Sequence, residues 1–183
     1  IDQTENKSMS EVLINQKSEA NVHFSKFIEN SYEGWLQHPD ADTPILSHLM
    51  MRKFVFPRIN DKSPLFFILI DNLRYDQWKA FESVVNNHYK LDKETSYYSI
   101  LPTATQYARN AIFSGLTPLE MEQKLPQYWK NDVDEGGKNQ FEAEFLTEQL
   151  KRLGLNIKQE YYKITNFASG KKLADNFKSL KNN

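Results

Sequence analysis

The feature that most constrains this chain is an uninterrupted apolar run over residues 64–70, which stops abruptly at Asp71. A strand covered on both faces has this pattern, which is typical of the parallel sheet of an α/β protein. Further strands are predicted at residues 97–101 and 161–164, the first of them ending at Pro102. Because ligands collect at the carboxyl ends of parallel strands, Asp71 is well placed for chemistry. The sequence therefore predicts a doubly wound, mainly parallel sheet.

Apolar residues at helical spacing precede, separate and follow these predicted strands. Residues 1–54 have this spacing, and we expect them to form most of an N-terminal helical bundle or connector, residues 1–58. A crossover helix is predicted after Asp71, and helices are also predicted around residues 141–153 and 173–180. Three strands make half of a usual doubly wound sheet, so we expect residues 59–183 to hold only the first half of the α/β domain.

Composition excludes several classes of function. Apolar residues are 39% and charged residues 26% of the 183 residues, which is typical of a globular protein. A net charge of −1 provides no overall field for nucleic acid or anionic membranes. The chain has no cysteine, which excludes disulfides and thiolate metal sites and favours a reducing compartment. No apolar segment approaches the roughly 20 residues of a membrane span, so membrane insertion is not expected.

Thr105 is the second candidate functional residue, because it follows a predicted strand and begins a stretch of small residues. A hydroxyl at a helix N-terminus lies beside free N–H groups, and such an end suits a phosphoryl group. A Thr before a helix is also a common N-cap, and an Asp after a strand often caps the next helix. The residues leave both interpretations open. For Arg109 and Asn110, we expect contact with solvent or a neighbouring loop rather than with phosphate.

Residues 67–76 and 101–116 together resemble the PglZ domain, a branch of the alkaline phosphatase superfamily. The resemblance is to the PorX-type response regulators of type IX secretion in particular. In that family a receiver domain precedes a helical bundle, and the phosphatase-like domain follows the bundle. The resemblance implies that residues 1–58 belong to the bundle and residues 59–183 to a partial PglZ domain.

The resemblance also implies a site and an activity. Asp71 matches the first metal-binding carboxylate of the superfamily, and Thr105 matches the nucleophile that also contacts zinc. Two zinc ions are expected in the complete domain, with the remaining ligands outside residues 1–183. The implied protein is a cytoplasmic, zinc-dependent phosphodiesterase or phosphatase and the effector of a two-component system. The 183-residue chain by itself is expected to be inactive.

The resemblance also implies partners. The substrate is expected to be a phosphodiester, and nucleotide-derived phosphodiesters are included. The expected protein partners are a cognate histidine kinase and components of secretion or transcription, and a homodimer is a further expectation.

Two other phosphoryl-transfer folds fit less well. A receiver domain needs an acidic pair after an earlier strand, whereas Asp40 and Asp42 follow a helix and Pro39. A haloacid-dehalogenase site needs a second Asp where Leu73 stands. The main alternative is a catalytically silent, phosphatase-like module used for protein interaction and signalling.

Overall fold

The structure is a computed structural model that describes residues 7–60, 63–131 and 133–180. The chain divides into two compact units, Ile1–Pro44 and Ile45–Asn183. In the first unit, helix α1 (Lys7–Gln37) is followed by a turn in which the Thr43 hydroxyl donates to Asp40 Oδ1 over 2.9 Å. The helix agrees with the helical spacing of this part of the sequence. The predicted domain boundary after residue 58 stays a prediction.

The second unit contains the remaining helices of the described residues. Helix α2 (Ser47–Met50) continues into a π-helical turn (Met51–Val55) and a 3₁₀ turn (Phe56–Arg58). The helices that follow are α3 (Tyr75–Asn86), α4 (Thr105–Ser114), α5 (Pro118–Lys124), α6 (Glu142–Arg152) and α7 (Phe167–Leu180). The spacing of apolar residues predicted α3, α6 and α7, and all three predictions are confirmed.

Helix α4 is the centre of the second unit, since it packs against α2, α5 and α6. All its residues from Asn110 to Ser114 are buried. The small side chains of Ala111 and Ser114 are fully buried, which allows neighbouring helices to approach closely. Phe145 of α6, the helix that packs against α4, is also fully buried. This core holds the first turns of α4 and α6 in the same region.

Hydrogen bonds join the segment before α4 to the start of α2. Tyr98 N donates to Ile45 O over 2.9 Å, and Ile100 N donates to the buried Ser47 hydroxyl over 3.1 Å. Leu46 and Tyr98 form an isolated parallel bridge. These contacts anchor the segment a few residues before Thr105.

The predicted α/β fold with a parallel sheet is wrong for this structure. Its described residues are mainly helical and form no strand or sheet, only isolated bridges between Leu46 and Tyr98 and between Asn60 and Ser63. Residues 64–70 and 161–164 have no regular secondary structure. Consequently α3 does not act as a crossover between parallel strands.

The strand prediction failed because an apolar run shows only that the side chains favour burial. A strand exists only through backbone hydrogen bonds to a neighbouring strand. In the described part of the chain no neighbour forms a ladder with residues 64–70, and the side chains of Ile68 and Ile70 are 79% and 57% exposed.

No described helix is both long enough and apolar enough to cross a membrane.

Candidate functional site

Asp71 lies in the turn before α3, and α4 supplies its partner. The next residue, Asn72, has a φ of 58°, a left-handed conformation that Asn adopts more readily than most side chains. The Asp71 carboxylate is 47% exposed and accepts a hydrogen bond of 3.1 Å from Arg109 Nη1 through Oδ2. Arg109 lies one helical turn after Thr105. Helix α4 therefore carries one candidate site residue and contacts the other.

Thr105 is the first residue of α4, and its side chain does not cap the helix. Ala104 occupies the N-cap position, with φ −58° and ψ 142° and no side-chain hydrogen bond to the helix. The Thr105 side chain is exposed at the helix start. The first N–H groups of a helix have no partner within it, and together with the helix dipole they favour an anion. The exposed hydroxyl thus lies at a helix end whose free N–H groups suit an anion.

Arg109 also pairs with a buried carboxylate, that of Glu142 in the first turn of α6. Its side chain is 1% exposed. Arg109 Nη2 lies 2.5 Å from Oε1, without the geometry of a hydrogen bond, and Lys163 Nζ lies 3.1 Å from Oε2. Tyr161 donates its phenol hydrogen to Oε2. Since a buried charge is costly unless it is paired, the two cations and the phenol explain how Glu142 is tolerated.

Burial and neighbouring charges shift the pKa values of Arg109 and Tyr161. Burial alone would lower the pKa of Arg109, but attraction to Glu142 and the contacts with Asp71 outweigh burial and raise it. Burial raises the pKa of the Tyr161 phenol, and its hydrogen bond to Glu142 raises it further. Arg109 therefore stays charged and Tyr161 stays a neutral donor at any physiological pH.

A second set of hydrogen bonds joins the start of α4 to residues 138 and 139. Asn139 Nδ2 donates to Thr105 O and to Asn110 Oδ1, each over 3.1 Å. Asn110 Nδ2 in turn donates to Lys138 O over 3.1 Å. Lys163 Nζ, which pairs with Glu142, also donates to Asn139 O over 2.7 Å. The prediction that Asn110 contacts a neighbouring loop is confirmed.

Sequence reasoning missed the importance of Arg109 and did not identify Glu142, Tyr161 or Lys163. Arg109 contacts Asp71 in the turn before α3, which agrees with the expected loop contact, but its pairing with Glu142 of α6 was not expected. A signal for Glu142 was present, because it shares the apolar face of α6 with Phe145 and Leu150 at helical spacing. A charged residue at such a position predicts a buried partner.

The sequence predicted that Asp71 and Thr105 each follow a strand of one sheet. This placement is wrong, because the described residues form no sheet.

The donor types of the site suit zinc in part. Asp71 and Thr105 offer a carboxylate and a hydroxyl, and zinc sites in proteins include carboxylate oxygen ligands at about 2.0–2.2 Å. Among the described residues no group of three or more His, Asp or Glu side chains is placed to hold a metal ion. The two residues therefore fit a zinc site as contributors, and they do not complete one.

Comparison with known families gives two matches along the chain. Residues 50–179 match the BREX system PglZ alkaline phosphatase-like domain, and residues 1–36 match the PorX response regulator linker domain. No curated protein matches the chain. The first match spans more than half of the sequence and includes Asp71, Thr105 and Glu142. The chain therefore belongs to the PglZ alkaline phosphatase-like family.

Proposed function

We propose that the intact protein is a zinc-dependent phosphodiesterase, with Thr105 as the nucleophile and Asp71 as a zinc ligand. The observation that carries this proposal is the PglZ match over residues 50–179, within which Thr105 is exposed at the start of α4. The contact of Asp71 with Arg109 of the same helix supports it. Nucleotide-derived phosphodiesters are the proposed substrates, and two zinc ions are the proposed cofactor.

The proposed reaction begins with the Thr105 hydroxyl. Its oxygen attacks phosphorus in line, the bond from phosphorus to the leaving oxygen breaks, and the departing alcohol takes up the proton. Water then attacks phosphorus, the bond from phosphorus to the Thr105 oxygen breaks, a phosphate monoester leaves, and the Thr105 oxygen takes up a proton from that water. Bound zinc would lower the pKa of a coordinated hydroxyl and neutralise charge on the phosphoryl oxygens. The N–H groups of the first turn of α4 would hold these oxygens as negative charge develops.

The proposed setting is a cytoplasmic response regulator. The PorX linker match over residues 1–36 supports an effector that follows a receiver domain and acts with a histidine kinase. Regulation of type IX secretion, contacts with secretion or transcription components, and assembly as a homodimer belong to the same proposal.

Hydrolysis of a chromogenic phosphodiester by the intact protein tests the function. Wild type should be active with zinc and lose activity when a chelator removes the metal. Thr105→Ala should lower turnover by about a hundredfold or more, because the attacking oxygen is lost. Thr103→Ala is the matched control, since Thr103 is also exposed, lies two residues before Thr105 and should be dispensable.

Two results would contradict the proposal in different ways. Activity that survives both the chelator and Thr105→Ala would exclude this mechanism. An intact protein that shows no hydrolysis and binds no zinc would favour the alternative, a phosphatase-like module that acts through protein interaction.

A further inference from the structure

We propose that Glu142 is a positioning residue for the site that contains Asp71 and Thr105. It holds Asp71 through Arg109. It holds the start of α4, and with it Thr105, through Lys163 and Asn139. The inference rests on the proposed function, because it assigns a role in zinc binding and turnover to a residue that contacts neither zinc nor substrate. It follows from a continuous series of contacts that runs from one candidate residue to the other.

The first arm leads from Glu142 to Asp71. Arg109 bridges the two carboxylates, with Nη2 2.5 Å from Glu142 Oε1 and Nη1 3.1 Å from Asp71 Oδ2. The two amino groups of a planar guanidinium are fixed relative to each other. Holding one of them on a buried carboxylate therefore sets the direction of the other. Arg109 in this way orients the Asp71 oxygen that it binds and leaves the rest of that half-exposed carboxylate accessible.

The second arm leads from Glu142 to the start of α4. Lys163 Nζ lies 3.1 Å from Glu142 Oε2 and donates to Asn139 O over 2.7 Å. The side chain of Asn139 then donates to Thr105 O over 3.1 Å. Ala104 supplies no side-chain cap, so the Asn139 amide is a group outside the helix that holds the first turn in place. The position of the Thr105 hydroxyl depends on that turn.

Burial distinguishes Glu142 from a similar but exposed group on the surface. Glu94 also accepts from a tyrosine and a lysine, Tyr75 and Lys79, but its side chain is 43% exposed. Exposed ion pairs of this kind are screened by water and contribute little. At Glu142 the carboxylate is 1% exposed and its partner Arg109 16%, whereas Lys163 is 42% exposed. The contact with Arg109 is therefore electrostatically stronger than an exposed pair and leaves the two groups fewer alternative positions. Partners of this kind orient metal ligands, and their loss typically weakens metal binding or activity.

Three variants of the intact protein separate the arms. Arg109→Met should weaken zinc binding about 10- to 100-fold, because Asp71 loses its orienting partner. Asn139→Ala should lower kcat at saturating zinc by a similar factor, about 10- to 100-fold, with a smaller change in zinc affinity. Glu142→Gln should produce both effects. Zinc affinity is measured by competition with a chelator, and kcat with a chromogenic phosphodiester.

A third measurement uses metal-free protein and requires no activity. Hydrogen exchange of the backbone amides at residues 107–109 should be faster in Glu142→Gln and in Asn139→Ala than in wild type, because the first turn of α4 opens more easily. Glu94→Gln and Arg58→Met are the matched controls. They remove an exposed glutamate and an exposed arginine that pairs with Asp92, and should leave all three measurements unchanged.

The outcomes separate this inference from the proposed function. If wild type binds zinc and is active, but Glu142→Gln behaves like the controls in all three measurements, the inference is overturned and the function stands. Should Glu142→Gln fail to fold, the inference requires the separate effects of Arg109→Met and Asn139→Ala, and equal losses of zinc affinity and kcat in both would overturn it. A wild type without zinc binding and hydrolysis overturns the function and with it the role of Glu142.

Discussion

Thr105 and Thr117 both stand at helix starts, but only Thr117 stabilises its helix with its side chain. Thr117 Oγ1 accepts from Glu120 N over 3.4 Å, and Glu120 Oε2 accepts from Thr117 N over 3.0 Å, which makes a capping box for α5. Thr105 lies one position inside α4, after the N-cap Ala104. A hydroxyl that is not used for capping is available for chemistry.

This difference predicts that two alanine substitutions differ in their effect on the free energy of unfolding. Thr117→Ala should lower the free energy of unfolding by about 0.5–2 kcal/mol, since a capping hydrogen bond is lost. Thr105→Ala should change it by less than about 0.5 kcal/mol, as expected for an exposed side chain without such a role. Urea denaturation of the two variants beside wild type measures both changes. An equal loss in both variants would show that the Thr105 hydroxyl has a structural role.

A second residue, His48, links stability to pH. It lies in α2, and its Nδ1 is buried without a hydrogen-bond partner among the described residues. Burial lowers the pKa of His48, and the negative charge of Glu120 opposes this only in part. Because the folded-state pKa is below the unfolded value of about 6.5, the neutral imidazole contributes stability above that pH. This contribution is lost as the pH falls further.

The expected result is that wild type loses more unfolding free energy than His48→Gln when the pH is lowered from about 7 to about 5. Urea denaturation at a series of pH values measures the difference. His88→Gln, which removes an exposed histidine, should keep the pH dependence of wild type. Parallel pH profiles for wild type and His48→Gln would contradict this account of His48.

At the scale of elements, the junction of α4 with α6 depends on a glycine. Gly115 ends α4 with a φ of 64°, and its N–H donates to Ala111 O over 2.9 Å. A Cβ at this position would lie 2.1 Å from the side chain of Gln149 in α6. Gly154, just after α6, has a similar φ of 68° but no atom within 4 Å of such a Cβ. The two glycines thus share a backbone conformation and differ in how closely their surroundings pack.

Two alanine substitutions separate these contributions. Gly154→Ala should lower the free energy of unfolding by about 1–2 kcal/mol, the usual cost of a left-handed conformation for a residue with a side chain. Gly115→Ala should cost more, because the Gln149 side chain must also move out of a well-packed interface. Thermal or urea unfolding of both variants provides the comparison. Equal destabilisation would mean that Gln149 adapts without cost.

At the scale of the whole molecule, stability of the second unit is concentrated where α2, α5 and α6 surround α4. Phe145 is fully buried there, with its ring centroid 5.9 Å from that of Tyr128 in an edge-on arrangement. Phe167 in α7 is 88% exposed. Identical substitutions at these two positions therefore compare the centre of the unit with its surface.

Phe145→Ala should lower the free energy of unfolding by about 3–5 kcal/mol, since it removes buried apolar surface and leaves a cavity. Phe167→Ala should change it by less than about 0.5 kcal/mol. Hydrogen exchange of the α6 amides in the intact protein reports on this unit specifically. A small effect at Phe145 would show that the surrounding helices collapse into the space.

The sequence by itself determined the features that depend on neighbours along the chain. Helical spacing predicted α3, α6 and α7. The motifs around Asp71 and Thr105 identified the PglZ family, which the match over residues 50–179 shows. These features are local, because a helix satisfies its hydrogen bonds within one segment and a motif is read from consecutive residues.

Only the tertiary structure decided which distant residues meet. The apolar run at 64–70 predicted a sheet strand, but a strand depends on a partner elsewhere in the chain, and the described residues provide no ladder. The pairing of Arg109 with both Asp71 and Glu142 likewise joins segments 38 and 33 positions apart along the chain. A buried charge selects its partners through low dielectric and geometry, which arise only once the helices have packed.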